Sequence, residues 1–354
     1  MTKFLNAKFL DTVVHGSYLL RVGYMARTAL SIILTLFGLL ALTFFIGRLL
    51  PTDPVVAIIG HEADQTTYDT VSQQLGLDRP LYIQFGKYLW AVMHGDFGKA
   101  LFTGNRVVDD IRRVFPVTLE LAVIALAIST LIGIPLGVWA AVNRNGYADH
   151  LVRFFGLAFN SIPHFWLGMM ALVVFYAQLG WIGGAGRVEI YFLDIVRPVT
   201  GMILVDSLIS GEYEVFWDAV RHLTAPILIL ALGGAAFKSR MTRSFMLEQL
   251  NQEYIVSARA KGLTKSQVVW RHAFRNVTVP LVTIVALSFA GLLDGAVLTE
   301  TVFSLPGFGQ YTVQGLLMGD MNAVLTCTLL VGFIFISFNL LSDLLYRVFD
   351  PRTR

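Results

Sequence analysis

The sequence has few of the residues on which redox and metal chemistry depend. Its 354 residues include a single cysteine, Cys327, which lies in an apolar run near the C-terminal end. One cysteine cannot form an intrachain disulfide, and the chain has no Cys-x-x-Cys pair and no Cys/His cluster with the spacing of a metal site. The sequence therefore offers no redox centre and no metal centre.

Sequence signatures of common enzymes are missing as well. No Gly-x-x-x-x-Gly-Lys-Ser/Thr loop is present to hold the phosphates of ATP, and neither an HExxH pattern nor a GxSxG nucleophile turn occurs. His150, His164, His222 and His272 are scattered along the chain. We therefore predict that the chain is not an enzyme and that it binds no cofactor of its own.

Charged residues are also scarce, at 14%, whereas hydrophobic residues reach 55% and the mean hydropathy is +0.65. This composition is far more apolar than that of an average soluble domain. A helix needs about 20 apolar residues to cross the hydrocarbon core of a bilayer, and about six runs are long enough. We predict an all-α integral membrane protein whose transmembrane helices lie at residues 28–50, 117–142, 151–178, 223–245, 279–302 and 323–346.

These spans define the predicted organisation of the chain. The first run is longer than the apolar part of a signal peptide and has no small-residue cleavage site after it, so we interpret it as a retained anchor. The other segments are a cytoplasmic N-terminal segment (1–27), an outer loop with short helices (51–116), a five-helix core (117–348) that includes a cytoplasmic loop (246–278), and a cytoplasmic tail (349–354).

The distribution of basic residues predicts the orientation of the spans. If the N-terminus is cytoplasmic, most of the 27 Lys and Arg residues fall on inner segments, and most of the 24 Asp and Glu residues fall elsewhere. Cytoplasmic loops of membrane proteins carry such an excess of Lys and Arg, so both termini are predicted to be cytoplasmic. Arg106, Arg112 and Arg113 lie on the outer side against this rule, although neighbouring acids offset part of their charge.

One predicted cytoplasmic segment, EYIVSARAKGLTKSQVVWRHAFRNVTVP at residues 253–280, is unusually basic for its surroundings. Gly262 ends a first short helix, and Thr264 and Gln267 have the spacing of a capping box that begins a second. The second helix carries an apolar stripe at helical spacing, formed by Val269, Trp270, Ala273, Phe274 and Val277. Such a pair of half-helices could lie on anionic lipid or in the groove of a partner protein, and periodicity alone does not separate the two.

The same segment resembles the EAA loop of ABC importer permeases, in the form found in the dipeptide, oligopeptide and nickel branch. That form reads ARAKG, a spacer, RHxxRN and then Pro, and the matching residues are Ala258, Arg259, Ala260, Lys261, Gly262, His272, Arg275, Asn276 and Pro280. Val256 replaces the Glu of the general family, which also suits this branch. Further blocks match in order: PTDP at 51–54, QLGLDRPLYIQFGKYL at 74–89, GDFG at 95–98, GAVLTETVFSLPGFG at 295–309 and DLLYRVFDPR at 343–352.

The resemblance implies a function and a set of partners. Such a permease has the fold of type I ABC importers, lies in the bacterial inner membrane, and works with a second, homologous permease, two ATPase subunits or domains and a periplasmic binding protein. ATP and Mg²⁺ are expected on the ATPase subunits. In this family the EAA loop sits in a groove of the ATPase, which implies that Trp270 and Phe274 form the docking face and that Arg259, Lys261, Arg271 and Arg275 form its polar rim. The cargo is left open among dipeptides, longer peptides, glutathione, opines and nickel chelates.

Polar residues inside the predicted spans are candidates for the translocation path, because charge in a membrane is costly. Asp294 could meet a cationic group of the solute, with Glu300 further along the same helix, or Asp294 could lie in a watery vestibule or pair with a partner subunit. Asn160 and Ser161, ahead of Pro163, could line the path or form ordinary hydrogen bonds between helices.

Two further patterns concern the outer loop and helix packing. Residues 304–311, SLPGFGQY, resemble the external loop that faces the binding protein, which implies that Pro306, Gly307, Phe308 and Gly309 contact it; a plain turn is the competing interpretation. GIPLG at 133–137 and GLLDG at 291–295 have the small-residue spacing that lets helix backbones approach closely.

Two other classes of function were weighed against the importer. An ion-coupled secondary transporter could use Asp294 and Glu300 as coupling sites, but the chain has no obvious inverted repeat. A membrane-embedded hydrolase would need one of the catalytic motifs that are missing. The importer permease is the function that the ordered sequence blocks favour.

Overall fold

The computed structural model describes residues 27–47, 54–60, 64–74 and 76–349. Within these ranges the regular structure is helical and no β-strand occurs, so the all-α prediction is confirmed. The chain divides into two compact units, one formed by residues 1–96 with 328–336 and the other by residues 97–327 with 337–354. The PTDP block at 51–54 lies almost wholly outside the described residues.

The first unit is built from one long and three shorter helices. They are α1 (Arg27–Gly47), α2 (Pro54–Ile59), α3 (Gln65–Gln74) and α4 (Leu81–Met93). The ring of Phe85 in α4 lies 5.2 to 5.8 Å from the rings of Phe37, Phe44 and Phe45 in α1. This aromatic cluster holds α4 against a helix whose other large side chains are mostly exposed, as expected for a surface that faces lipid.

The second unit contains the long helices of the predicted core. Its helices are α5 (Val107–Val142), α6 (Tyr147–Ser161), α7 (His164–Ala171), α8 (Ile203–Ser210), α9 (Tyr213–Leu250), α10 (Glu253–Ala260), α11 (Phe274–Phe303), α12 (Phe308–Leu317) and α13 (Met321–Phe349), the last of which also contributes residues 328–336 to the first unit. A π-helical turn, Gln267–Ala273, leads directly into α11. Among the described residues, five helices are long and apolar enough to cross a membrane.

The third predicted span, residues 151–178, is not one straight helix. The chain forms α6, breaks at Ile162 and Pro163, and continues as α7 and a π-helical segment, Leu172–Gln178, at 93° to α6. Proline has no N–H to donate and forces the preceding residue out of the helical conformation, and Ile162 is accordingly extended with ψ of 126°. Six spans result if this bent pair is counted as one.

The glycines of GIPLG allow α5 and α9 to pack with their backbones in contact. A Cβ atom on Gly133 would lie 2.8 Å from the carbonyl oxygen of Ala235, and one on Gly137 would lie 2.5 Å from that of Ser239. The predicted close approach is therefore confirmed for this pair. For Gly291 of GLLDG no such approach occurs within the chain, because a Cβ atom there would meet nothing within 4 Å, and packing of this glycine against a second permease stays a prediction.

Candidate functional site

The segment 253–280, here called the coupling segment, forms two half-helices as its sequence predicts. The first is α10, and Gly262 follows it with a positive φ of +78°, which favours glycine. The backbone N–H of Thr264 donates to the side chain of Gln267 (3.0 Å), and the N–H of Gln267 donates to the hydroxyl of Thr264 (3.4 Å). This reciprocal pair is the predicted capping box.

Most of the apolar stripe on the second half-helix is buried inside the chain itself. Val269, Ala273 and Val277 are at most 6% exposed. They belong to a core cluster that also contains Val138 and Ala141 of α5, Met246 of α9, Ile255 and Ala258 of α10, Val268 and Leu281. The apolar surface of these residues and of Ala258 is therefore already covered by the chain itself, which leaves Trp270 and Phe274 of the stripe for the predicted docking face.

The outward side of the coupling segment is aromatic and basic. Trp270 is 50% exposed and packs edge-to-face on the partly buried Phe274, with ring centroids 5.1 Å apart. Arg259, Ala260, Lys261, Gly262, Arg271 and Arg275 are exposed, and His272 is half-buried. No ion pair to these basic residues is found in the described part of the chain, so this side carries net positive charge. A cavity of about 360 Å³ lies between the ends of α5 and α9, with Arg259 and Lys265 at its edge.

Asn276 is exposed but holds the coupling segment together rather than pointing freely outward. Its amide donates to the hydroxyl of Tyr254 in α10 (2.9 Å), and that hydroxyl donates to Gln249 at the end of α9 (2.9 Å). The half-helices are thus tied to α9 and α11 by side-chain hydrogen bonds as well as by the core beneath them. A displacement of the segment would move the ends of both helices.

A bidentate ion pair fixes α6 to α9 near the coupling segment. Arg243 donates from Nε and Nη2 to the two carboxylate oxygens of Asp149, at 2.5 and 2.7 Å, and Asp149 is fully buried. Arg243 lies within the predicted span 223–245, and the sequence assigned no partner to it. Its partner lies 94 positions earlier, so no local pattern could have identified the pair.

Glu300 is not on a path surface in this structure. Its side chain is fully buried, accepts a hydrogen bond from the hydroxyl of Thr118 in α5 (2.5 Å), and accepts another from the backbone N–H of Gln310 (3.0 Å). The path assignment for Glu300 is therefore wrong here, because both carboxylate oxygens hold the outer loop to α5. Asp294, in contrast, is exposed on α11 and remains available.

The residues suggested for contact with a binding protein are mostly buried against Glu300. A Cβ atom on Gly307 would lie 2.3 Å from the carboxyl carbon of Glu300, and one on Gly309 would lie 2.6 Å from Cα of Val297. Phe308 packs on Phe115 with ring centroids 5.9 Å apart. Of the four residues only Pro306 is exposed, so the glycines serve a close approach within the chain and not an outer surface.

The bend between α6 and α7 lies beside the path candidates Asn160 and Ser161 and beside His164, to which the sequence assigned no role. Asn160 and Ser161 are exposed at the end of α6, as path candidates would be. His164 begins α7, and its imidazole lies where a side chain on Gly233 would have to be, 2.6 Å from the position of that Cβ. Lys238 of α9, which lies within the predicted span 223–245, is fully buried and donates to the hydroxyl of Ser129 (2.9 Å).

A polar cluster on the predicted outer side anchors residues 187–206. Glu120 lies well inside α5 and accepts hydrogen bonds from the backbone N–H groups of Ile203 (3.2 Å) and Leu204 (2.8 Å). Arg187 forms an ion pair with it at 3.5 Å. Burial lowers the pKa of the Arg187 guanidinium, while the charge of Glu120 opposes that effect.

Asp206 completes this cluster by capping a turn. It accepts hydrogen bonds from the backbone N–H groups of Val199 (3.2 Å), Thr200 (2.8 Å) and Gly201 (2.9 Å), and from the hydroxyl of Thr200 (2.7 Å). Burial by itself would raise the pKa of Asp206, but these hydrogen bonds stabilise the charged carboxylate and leave the pKa below its usual value.

Two family models together match nearly the whole chain. Residues 133–354 match the model of the binding-protein-dependent transport system inner membrane component, and residues 21–122 match the model of the N-terminal region of such membrane components.

Individual relatives agree with this family. The chain is 43% identical over 321 residues to the probable D,D-dipeptide transport system permease protein DdpB of Escherichia coli strain K12, covering 91% of this chain and 94% of that one. It is 40% identical to the di/tripeptide transport system permease protein DppB of Pseudomonas aeruginosa strain UCBPP-PA14, covering 94% and 99%. A structure of the MetNI methionine ABC transporter in an inward-facing conformation shares the fold, with a TM-score of 0.50 and 21% identity over 66% of this chain and 93% of that one.

Proposed function

Because the chain belongs to the family of binding-protein-dependent transport system inner membrane components, we propose that it is the permease subunit of an ATP-driven importer of peptides or peptide-like solutes. The names of its D,D-dipeptide and di/tripeptide relatives support this class of cargo. The family is one of transport components, so the chain is a transport subunit and not an enzyme. It is a multi-pass membrane protein, and we propose that both of its termini are cytoplasmic.

The partners follow from the same proposal. A second, homologous permease completes the translocation path, a periplasmic binding protein delivers the solute, and two ATPase subunits or domains bind ATP and Mg²⁺. The solute itself is a peptide, a glutathione-like or opine-like compound, or a nickel chelate. Asp294, exposed on α11, and Asn160 and Ser161, exposed at the end of α6, are the residues that we propose for the path.

The observation that carries the proposal is the construction of the coupling segment. Its inner side is covered by α5, α9 and α11, and hydrogen bonds through Tyr254 tie it to the ends of two of these helices. Its outer side presents Trp270 beside exposed Arg259, Lys261, Arg271 and Arg275. An aromatic residue surrounded by arginines is typical of the energetic centre of a protein interface, and a groove with acidic edges would complement it.

Energy transfer follows from these connections. When the ATPase closes on ATP, its groove moves the exposed side of the coupling segment. Since the segment cannot slide over its own core, the movement passes to the inner ends of α9 and α11. Asp294 lies on α11, and α6, which ends in Asn160 and Ser161, is joined to α9 by the ion pair of Asp149 with Arg243. The translocation path would thereby open alternately to the two sides of the membrane.

The ion-coupled alternative loses support from the position of Glu300. Of its two suggested coupling residues, Glu300 is buried in hydrogen bonds with Thr118 and Gln310. Uptake that depends on ATP and persists when the proton gradient is collapsed would exclude this alternative, and the reverse result would favour it.

The direct test is to purify the tagged chain from its native membrane and identify the proteins that accompany it. We expect a P-loop ATPase and a second permease. In the variant Trp270→Ala the recovery of ATPase should fall about tenfold or more, because central aromatic residues of interfaces contribute about 2 kcal/mol or more. Tyr147→Ala is the matched control, since Tyr147 is also an exposed aromatic residue, at the start of α6. Equal recovery from both variants would refute the docking role of Trp270, and a chain that copurifies with no ATPase or transports alone without ATP would refute the proposal.

A further inference from the structure

A cavity of about 340 Å³ lies in the membrane-spanning region between α7, α9 and α11. His164, Leu230, Gly234, Phe237, Ser288 and Gly291 are among the residues that line it, and it is called here the His164 cavity. We propose that the His164 cavity accommodates an uncharged side chain of the solute during passage, with the imidazole of His164 as its polar contact. This inference rests on the proposed function and names a solute site within it.

The position of His164 at a helix break is the first observation. His164 is the first residue of α7, immediately after Pro163, where the chain turns through 93°. Pro163 has no N–H to donate, so the break leaves polar backbone groups of α6 available inside the membrane-spanning region. Interrupted helices of this kind form solute sites in transporters because irregular backbone is tolerated where it lines a cavity.

The second observation is that the glycine at position 233 makes room for the imidazole, while position 295 lies at an ordinary contact distance from it. A Cβ atom on Gly233 of α9 would lie 2.6 Å from Nε2 of His164, and one on Gly295 of α11 would lie 4.0 Å from Nδ1. The ring can reach the cavity only because position 233 has no side chain. Its orientation is therefore set by α9 and does not depend on a hydrogen bond of its own.

The chemistry of the wall indicates what the cavity can hold. Its lining is mostly apolar, and none of the lining residues is Asp, Glu, Lys or Arg. The hydroxyl of Ser288 donates to the carbonyl of Ile284 (2.6 Å), whereas no hydrogen bond or ion pair of the His164 ring is found in the described part of the chain. An apolar wall with one available polar group suits an uncharged side chain of a peptide, with the neighbouring amide of that peptide bonded to the imidazole. A charged side chain would be buried in the cavity without a partner.

The third observation concerns Gly291, against which nothing packs in the described part of the chain. A Cβ atom there would meet nothing within 4 Å, and the residue is exposed in the middle of α11. Glycine inside a helix is destabilising relative to alanine, so a position with free space would be expected to carry a side chain. Its absence keeps the cavity open, and a larger residue at 291 would fill the cavity without disturbing the helices around it.

The experiment uses the complete transporter, with its binding protein and ATPase, in proteoliposomes. We would compare the maximal rates of ATP-dependent uptake of dialanine and dileucine at saturating loaded binding protein, so that affinity for the binding protein does not enter. Gly291→Leu should lower dileucine uptake about tenfold and dialanine uptake much less. The added leucine would occupy the space that the larger side chain of dileucine needs, and the free-energy cost of overpacking corresponds to about a tenfold change. Gly38→Leu in α1 is the matched control, because a Cβ atom on Gly38 also meets nothing within 4 Å.

A second pair of variants tests the imidazole. His164→Asn retains a hydrogen-bonding group and should preserve more uptake than His164→Leu, which offers only apolar surface. Equal slowing of both peptides by Gly291→Leu, or uptake as fast as in the unsubstituted protein, would overturn the solute site. Absence of ATP-dependent uptake by the unsubstituted complex is a different result, which would overturn the proposed function and this inference with it.

Discussion

Asp206 should control the stability of the segment 187–206, and the variant Asp206→Asn isolates its contribution. In the protein each carboxylate oxygen of Asp206 accepts two hydrogen bonds. Oδ1 accepts from the backbone N–H and the hydroxyl of Thr200, and Oδ2 accepts from the backbone N–H groups of Val199 and Gly201. An asparagine has one carbonyl oxygen, so one of these pairs is lost and the amide NH₂ faces two N–H groups instead. At about 1.5–3 kcal/mol for each bond to a charged group, the loss is about 3–6 kcal/mol.

Hydrogen exchange of the backbone amides at 199–201 measures this effect directly. At the lower end of the expected range the exchange rate should rise about a hundredfold, because about 1.4 kcal/mol corresponds to a factor of ten. Asp194→Asn is the matched control: Asp194 is exposed in the same segment, and its φ of 66° is a conformation that asparagine tolerates. Equal exchange in the two variants would refute the capping role of Asp206.

The same carboxylate predicts a dependence on pH. The pKa of Asp206 in the folded protein lies below its usual value. The stabilisation is therefore fully present above the pKa of the unfolded chain, about 3.9, and is lost as the pH falls through the lower folded value. After correction for intrinsic exchange, protection of 199–201 should decrease below about pH 4 in the unsubstituted protein but change little in Asp206→Asn. Constant protection down to pH 2 would contradict the assignment.

Two further predictions concern the packing of α5 on α9 and can be measured by thermal unfolding in detergent. Gly137→Ala should destabilise the protein by about 1–3 kcal/mol, because the new Cβ would lie 2.5 Å from the carbonyl oxygen of Ser239. Gly86→Ala is the control and should stabilise the protein by about 0.5–1 kcal/mol, because the space around Gly86 is open. A shift of the same sign in both variants would be inconsistent with the close contact. Ser129→Ala should cost about 1–3 kcal/mol because it leaves the buried ammonium of Lys238 without its partner, and adding Lys238→Met should recover that loss; no recovery in the double variant would show that the charge is not responsible.

Local patterns in the sequence were sufficient wherever the physical cause is itself local. The capping box of Thr264 and Gln267 and the turn at Gly262 depend on neighbours a few residues away, and both form as expected. Pro163 also carried the signal for the break in the third span. A hydropathy window averages over a proline, however, and therefore treated residues 151–178 as continuous.

Partners distant in the sequence could not be predicted in the same way. The sequence left lipid and a partner protein open as the surface that covers the apolar stripe, whereas Val269, Ala273 and Val277 pack in the chain's own core. Periodicity reports that a face is apolar and not which surface covers it. Glu300 and Thr118 are 182 positions apart, and Lys238 and Ser129 are 109 apart. Ala258 matches the family pattern in the sequence, but it is buried in the chain's own core, so a charged residue at this position would disturb folding.

The division of the coupling segment into a covered side and an exposed side affects how the protein can change over time. The residues that hold the segment in place, such as Ile255 and Ala273, are separate from those that a partner would touch, such as Trp270 and Arg271. Substitutions at sites without shared contacts have nearly additive effects. The exposed residues can therefore change, and with them the choice among partners that touch this side, while the fold keeps its stability.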